Sequence, residues 1–505
     1  MAQSTSGTSL VTNYASPSRV AARTVEVCWD GTNWVDETSR VQSLRIRHQL
    51  LNEALGLPML GQGLTSDATV TLDNRDGRFS TTLAGSIAQT NRPDGIYRVP
   101  IRIAMGYSGE TLRQFTGEVI TAPGAEALGR RTVTFQCQDY SFALQQIKHR
   151  SVLTADDRPD EVMGALLDVA DGADALFAAA TTRNLDYALA VIPYTWQDDE
   201  NVWEELGLLA ASEAGMIHFS KEAEFRFWRQ TAFIERAHSL TSQVTLDRSG
   251  AVELANDASW RNAYTKVIVE ATPWQYGPLV AAYQAEAEIV VEPGQTVTHR
   301  ARYAHPMLWI QTPVEGDDYR AVSAGMGDLS SDLTLGITSY AQQATITLEN
   351  NNASQAIFVI GLQVRGYPLE GRGDDKVEFE ANLSPAKVPG EKDYVVPQNP
   401  YLQTRYQVEL VGSRLRDLLQ RPRRLYAWKG AHCPWLELGD RVTLEDSGTG
   451  IDEDMLVMGL EIAAGVTDQT MTLTLLPVAN LYPYTSYFRW GVSSYANSGS
   501  ARAYY

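Results

Sequence analysis

The chain has 505 residues, 44% of them hydrophobic, with only 3 Cys and with 61 acidic against 42 basic side chains. That length accommodates about three to four domains, and the apolar fraction is ample for packed cores, which excludes a disordered chain. A formal net charge of −19 disfavours wrapping duplex DNA, since neutralising phosphates needs a net basic face, and the scarce cysteines argue against a disulfide-stapled secreted protein. The N-terminus lacks the basic start and apolar core of a signal peptide. No apolar run approaches the roughly 18 residues that span a bilayer, so a soluble protein is expected.

Residues 1–19, rich in Ser, Thr, Ala and Asn, read as an arm without a core of its own. From 20 to 149 the pattern is strands. Leu44, Ile46 and His48 alternate with Arg45 and Arg47, and Ala68, Val70 and Leu72 alternate with Thr69 and Thr71. Val99, Ile101, Ile103 and Met105 form a third period-2 run, and Val133 and Phe135 lie in a fourth. Such alternation marks half-buried strands. Asp73–Gly77, Arg92–Gly95 and Ala122–Gly124 supply turn chemistry between them, so an antiparallel barrel or sandwich is expected.

Residues 150–245 read as a small α+β unit. Asp156–Glu161 looks like a helix start, with an early Pro159 and acidic residues at the positive helix end, followed by Val162, Leu166, Val169 and Ala170 at helical spacing. Asp198–Glu200 looks like a second start before Val202, Leu206, Leu209 and Ala210, and Gly215 is placed to end that helix. A hairpin then carries Ile217, Phe219, Phe225 and Phe227.

Strands resume at 246–275 and 396–480, around a segment 276–395 that reads as an inserted β-sandwich, with Asn350, Asn351 and Asn352 as a hairpin turn between its strands. One amphipathic helix carries Val408, Val411, Leu415 and Leu418 on one face, and Pro422 stops it. Closing strands are expected at 436–438, 442–444, 456–458 and 471–475. Residues 481–505 form an aromatic tail.

Two distant segments echo one another. Phe115–Gly124 precedes the alternating run Arg131–Cys137, and Val457–Gly465 precedes Gln469–Leu475. Each is a strand with an early Gly, a Gly turn and an alternating strand, and each has a strand pair upstream. Two similar barrels in one chain would present two similar assembly surfaces.

Leu72–Ser80 resembles the strand-turn segment of bacteriophage minor tail proteins. Trp196–Trp228 is similar to the α+β domain of tail hubs, and Leu436–Val442 resembles the Leu-x-x-Gly-Asp-x-Val strand of the hub's second barrel. The order of these segments resembles the baseplate hub and tail-tip family of contractile and long non-contractile tails. The resemblance covers about 20–275 and 400–480. It implies a mainly β fold with α+β: two tube-type β-barrel domains, a small α+β domain and the inserted β-sandwich. It further implies a homotrimeric ring in the virion, assembled in the host cytoplasm, that joins the tail tube to distal tip, spike or fibre proteins. An acidic lumen would then let viral DNA pass without binding. A receptor- or glycan-binding adhesin acting through the sandwich is the alternative, and a cell-wall hydrolase with a carboxylate pair is a third reading.

Motifs for catalysis are weak. Asp73–Gly77 has a calcium-loop look, but Arg75 stands where an oxygen ligand is needed, so a turn is preferred. The histidines are dispersed along the chain. The adjacent His432–Cys433, beside Pro434 and Trp435, reads as packing rather than a zinc or thiol site. No nucleophile elbow or phosphate-cradling loop is present, so no catalytic residue, metal or cofactor is expected. Two features point to partners instead. Arg414, Arg421, Arg423 and Arg424, with Arg416, concentrate positive charge near one helix end; an acidic neighbouring subunit competes there with a solvated face. Tyr482, Tyr484, Tyr487, Trp490, Tyr504 and Tyr505 suit docking on a neighbour, against packing on the chain's own barrel. In the sandwich Trp274, Tyr276, Tyr283, Tyr303, Trp309 and Tyr319 are divided between core packing and stacking on sugars.

Overall fold

A computed structural model describes residues 8–16, 19–52, 57–58, 65–122, 131–247, 250–258, 264–271, 273–372, 377–382, 390–419, 424–466 and 468–481. Among them no helix is long and apolar enough to cross a membrane. Helix α1 (Thr8–Ala15) lies within the N-terminal arm, where Leu10 is buried and Tyr14 meets Trp435 edge-on at 5.3 Å. Tyr14 also lies 6.5 Å from Tyr107, so the arm packs on a core that both strand units share.

The first strand unit comprises β1 (Ala21–Cys28), β2 (Val41–Gln49), β3 (Asp67–Asp73), β4 (Val99–Tyr107), β5 (Glu110–Thr121) and β6 (Thr132–Gln138). Its ladder runs β2-β3-β6-β5-β4-β1. The period-2 residues do what the sequence predicts: Leu44, Ile46, Val70, Leu72, Ile101, Ile103, Val133 and Phe135 are buried, while Arg45 and Arg47 point to solvent. The 73–80 segment is a turn. Asn74 accepts a hydrogen bond from the Phe79 amide, Arg40 pairs with Asp76, and Phe79 stacks against Trp29.

The α+β unit contains α2 (Pro159–Ala173) and α3 (Val202–Ser212), packed on a sheet of β7 (Thr182–Leu185), β8 (Met216–Phe219) and β9 (Glu224–Trp228). Asp198–Asn201 is a strand rather than a helix start, and Asn201 caps α3 by accepting from the Glu204 amide.

The second strand unit opens with β10 (Ser242–Asp247) and β11 (Ala251–Ala258). The chain then leaves through β12 (Lys266–Ala271) into the sandwich, which includes β13 (Val280–Gln284), β14 (Met307–Gln311) and β15 (Gln363–Gly371). The strands 343–350 and 357–360 lie in different three-stranded sheets, so the Asn350–Asn352 segment crosses between sheets and is not a hairpin turn. The Asn350 side chain holds that crossing by donating to the Val291 and Gln355 carbonyls. The sequence boundary at 395 also moves. β16 (Val377–Asn382) and β17 (Asp393–Val395) pair with β12 rather than with the sandwich. Helix α4 (Arg405–Leu419) covers that small sheet and buries Val408, Val411, Leu415 and Leu418 as its spacing predicts.

The chain returns through β18 (Arg424–Ala431), β19 (Arg441–Asp446), β20 (Ile451–Ala464) and β21 (Gln469–Pro477). The expected strand at 436–438 is instead a turn. The second ladder runs β11-β18-β21-β20-β19-β10. Taken in chain order, its strands follow the same path as those of the first unit. The echoing segments occupy corresponding strands, β5 and β6 in one unit and β20 and β21 in the other. The units differ at one edge: β1 is antiparallel to β4, whereas β10 is parallel to β19. Antiparallel pairing of β2 with β20 fuses both units into one 13-stranded sheet over a shared core.

Candidate functional site

The seam between the two strand units is the first place where the fold brings sequence-distant chemistry together. Leu44 faces Ala464, Ile46 faces Ile462 and His48 faces Leu460, and Ile46 and Ile462 are fully buried. On the solvent side Arg45 makes a two-pronged contact with Glu461 at 2.9 Å, and Arg47 meets Asp67 at 2.9 Å. Those charges balance. Elsewhere, at the end of the second unit, Asp247, Glu253, Glu445 and Asp446 line an open cavity of about 530 Å³ with Tyr426 and Trp428.

The second place is a buried polar junction where the first unit, the α+β hairpin and the 432–440 turn meet. Lys221, in the turn between β8 and β9, is 4% exposed, and its Nζ donates to Gln114 Oε1 at 2.5 Å and to the Pro434 carbonyl at 3.3 Å. Burial pushes the Lys221 ammonium down to about 8, against the pull of the Glu437 and Asp440 carboxylates. Burial likewise pushes Asp440 up to about 8, although it accepts a hydrogen bond from the Glu437 amide. Arg226 bridges β9 to the turn through Glu437 at 2.9 Å.

Three of the dispersed histidines converge on this junction. His48 Nδ1 is hydrogen-bonded with Ser66 and Nε2 with the Gln114 carbonyl, both at 2.8 Å. Burial, then the Lys221 charge, lowers His48 to about 4. The same two causes hold His432 below its ordinary value. For His218, burial acts first and the Arg226 and Arg236 charges add to it. His218 packs edge-on against Trp228 at 4.3 Å. The pairing His432–Cys433 belongs to this packed interior, as the sequence reading had it; burial pushes the Cys433 thiol up to about 12. Sequence reasoning missed the junction because its members are far apart in the chain. One signal was present: His48 occupies the buried register of β2, and His218 stands between Ile217 and Phe219 on a buried strand.

Of the residues proposed for partner contact, Arg414, Arg416 and Arg424 are among the described ones. Tyr482, Tyr484, Tyr487, Trp490, Tyr504, Tyr505, Arg421 and Arg423 lie outside the described residues. Arg414 is half-buried and has a partner, Arg416 pairs with its neighbour Asp417, and Arg424 stands exposed at the first position of β18. Of the sandwich aromatics, Tyr303 is buried, Trp274 packs on Trp196 at 5.3 Å, and Tyr276 and Trp309 are exposed.

No protein-family model matches the sequence, and no curated protein is similar to it in sequence. Among solved structures, the chain is similar to the tail protein from Neisseria meningitidis MC58, at 10% identity and a TM-score of 0.51, over 92% of this chain and 98% of that one. The 43 kDa tail protein of prophage MuSo2 from Shewanella oneidensis aligns at 10% identity and a TM-score of 0.48, over 91% and 99%. Prophage tail protein gp18 from Listeria monocytogenes EGD-e aligns at 10% identity and a TM-score of 0.42, over 90% and 94%. The likeness to the Neisseria protein spans nearly all of both chains, so this chain shares the fold of that protein. The mainly β architecture with an α+β unit, expected from the residue motifs, is the one the chain adopts.

Proposed function

We propose that the chain is a structural virion protein, a tail-tip or baseplate hub that forms a closed ring between the tail tube and distal tip, spike or fibre proteins. The observation that carries this reading is the repeated strand order of the two units and the way they join. Within the chain, the outer edge of β2 pairs with the second half of β20. The counterpart of β2 in the second unit is β11, whose pairing among the described residues is with β18 alone. Repeating the internal junction would set the β11 edge of one copy against the first strand unit of the next. That head-to-tail contact closes into a ring. Two units per chain give six around a ring of three copies, which matches a six-fold tube.

In this reading the acidic end of the second unit faces the path of the viral DNA and repels its phosphates, and the chain carries no catalytic role. The site of action is the virion. Mass photometry and electron-microscopic images of the purified chain, alone and with tail-tube protein, test the proposal. A three-copy ring that caps the tube is expected; a monomer that ignores the tube would overturn it.

A further inference from the structure

We propose that the sandwich carries a carbohydrate-binding site on the outer face of β13, β15 and β14, centred on Trp309 and Tyr367. The two residues are direct cross-strand partners, with ring centroids 6.1 Å apart and planes tilted by 38°. Both stand in solvent, Trp309 at 54% and Tyr367 at 37% exposure, although the sandwich has a core of its own that could have taken them. Gly366 makes the close approach of the strands possible: a β-carbon there would stand 2.8 Å from the Trp309 carbonyl oxygen and 3.2 Å from Met307 Sδ. The two exposed rings thus stand together on paired strands, with their planes inclined to one another by 38°.

Beside the rings lies a row of planar polar side chains. Gln311 is the cross-strand partner of Arg365, and Gln284 is the partner of Gln363. Arg365 Nη2 and Gln363 Nε2 both donate to Asp318, at 2.9 and 3.0 Å, and the Val314 amide donates to the same carboxylate at 2.9 Å. Asp318 is itself 1% exposed, so it anchors the row from beneath. A sugar ring has an apolar C–H face that stacks on an aromatic plane and a rim of hydroxyls that both donate and accept. An aromatic platform next to pre-oriented guanidinium and amide groups meets both needs.

The size of the patch favours this occupant over a protein. The exposed parts of the two rings amount to roughly 200 Å², given the surface an aromatic side chain carries, while a stable protein interface needs about 800 Å² per partner. One or two sugar rings fit that area. The site is independent of the seam and of β11, so it goes beyond the ring-forming role.

The test uses the full chain on a printed array of neutral, acidic and amino-sugar oligosaccharides, followed by calorimetric titration of the strongest binder. Binding to one class is expected. Trp309→Ala and Tyr367→Ala should each weaken it on the order of ten-fold, the loss that removing about 1.4 kcal/mol of stacking produces. Trp309→Phe, which keeps a ring, should lose less. Unchanged melting of the variants separates a lost contact from a lost fold. A blank array at millimolar sugar, or binding indifferent to both alanine variants, overturns the proposal. So does self-association of the chain that Trp309→Ala abolishes, since the patch would then be a protein contact. Ring formation is read separately on the same samples: a ring that forms without sugar binding defeats this site alone, and sugar binding by a monomer defeats the ring alone.

Discussion

Gly439 holds a backbone φ of +80°, and a β-carbon at that position would stand 2.8 Å from the indole ring of Trp228. This contact seats the turn before β19 on the last residue of β9, so the second strand unit and the α+β unit share one surface. Ser239 reinforces it by donating to the Gly439 carbonyl at 2.7 Å. Gly439→Ala adds both a strained left-handed residue and a clash with a buried ring. We expect a loss of about 3 kcal/mol of unfolding free energy, measured by denaturant titration. A loss below about 1 kcal/mol would mean that the indole moves aside freely.

The seam between the units is held by its apolar face rather than by its ion pairs. Ile462→Ala removes buried carbon opposite Ile46 and should cost about 3 kcal/mol. Arg45→Ala breaks an exposed contact with Glu461, whose partners are 61% and 37% exposed, and should cost less than about 1 kcal/mol, shrinking further in salt. Equal effects from the two substitutions would contradict this ranking.

Acid should act on the junction through His48. Its folded value of about 4 lies below the ordinary histidine value of 6.5, so between these pH values the unfolded chain binds the extra proton. Stability from this group is therefore complete above pH 6.5 and is lost as pH falls toward 4. Relative to His48→Gln, which keeps the ring's place without titrating, the wild type should lose about 3 kcal/mol across that window. Comparing the two proteins cancels the buried Asp139 and Glu205, whose raised values work in the opposite direction. Parallel melting curves for the two proteins at every pH would show that His48 is not held neutral by the fold.

The edge strand β11 exposes Val252 at 73%, without a neighbour on its outer side among the described residues. A lysine there should block edge-to-edge pairing, since a charge on an unpaired strand edge opposes addition of another strand. With Val252→Lys, mass photometry should show single copies in place of rings, and the melting temperature of the single chain should stay within a few degrees. Rings that persist would place the contact between copies elsewhere.

Much of the fold is written in local pattern. The alternation Leu44-Ile46-His48 sets which side of β2 is buried, and the helical spacing Val408-Val411-Leu415-Leu418 sets the buried face of α4. These follow from the fixed periods of strand and helix, which a single segment carries by itself. The places where local reading failed are those where a neighbour overrules it. Leu436–Leu438 alternates like a strand but is bent into a turn by Gly439 and its packing on Trp228. Asp198–Glu200 looks like a helix start, yet it pairs with 148–150 as a strand.

The sequence by itself determined the class of this protein: a large, acidic, mainly β chain with two echoing strand units, because composition, period and turn chemistry are properties of short stretches. Only the tertiary structure decided how those units are used. The pairing of β2 with β20, the burial of Lys221 among His48, His218 and His432, and the exposure of Trp309 beside Tyr367 all join residues distant in the chain or choose one face over another. Such choices are made by the packing of the whole core, which weighs every segment's apolar surface against all the others at once.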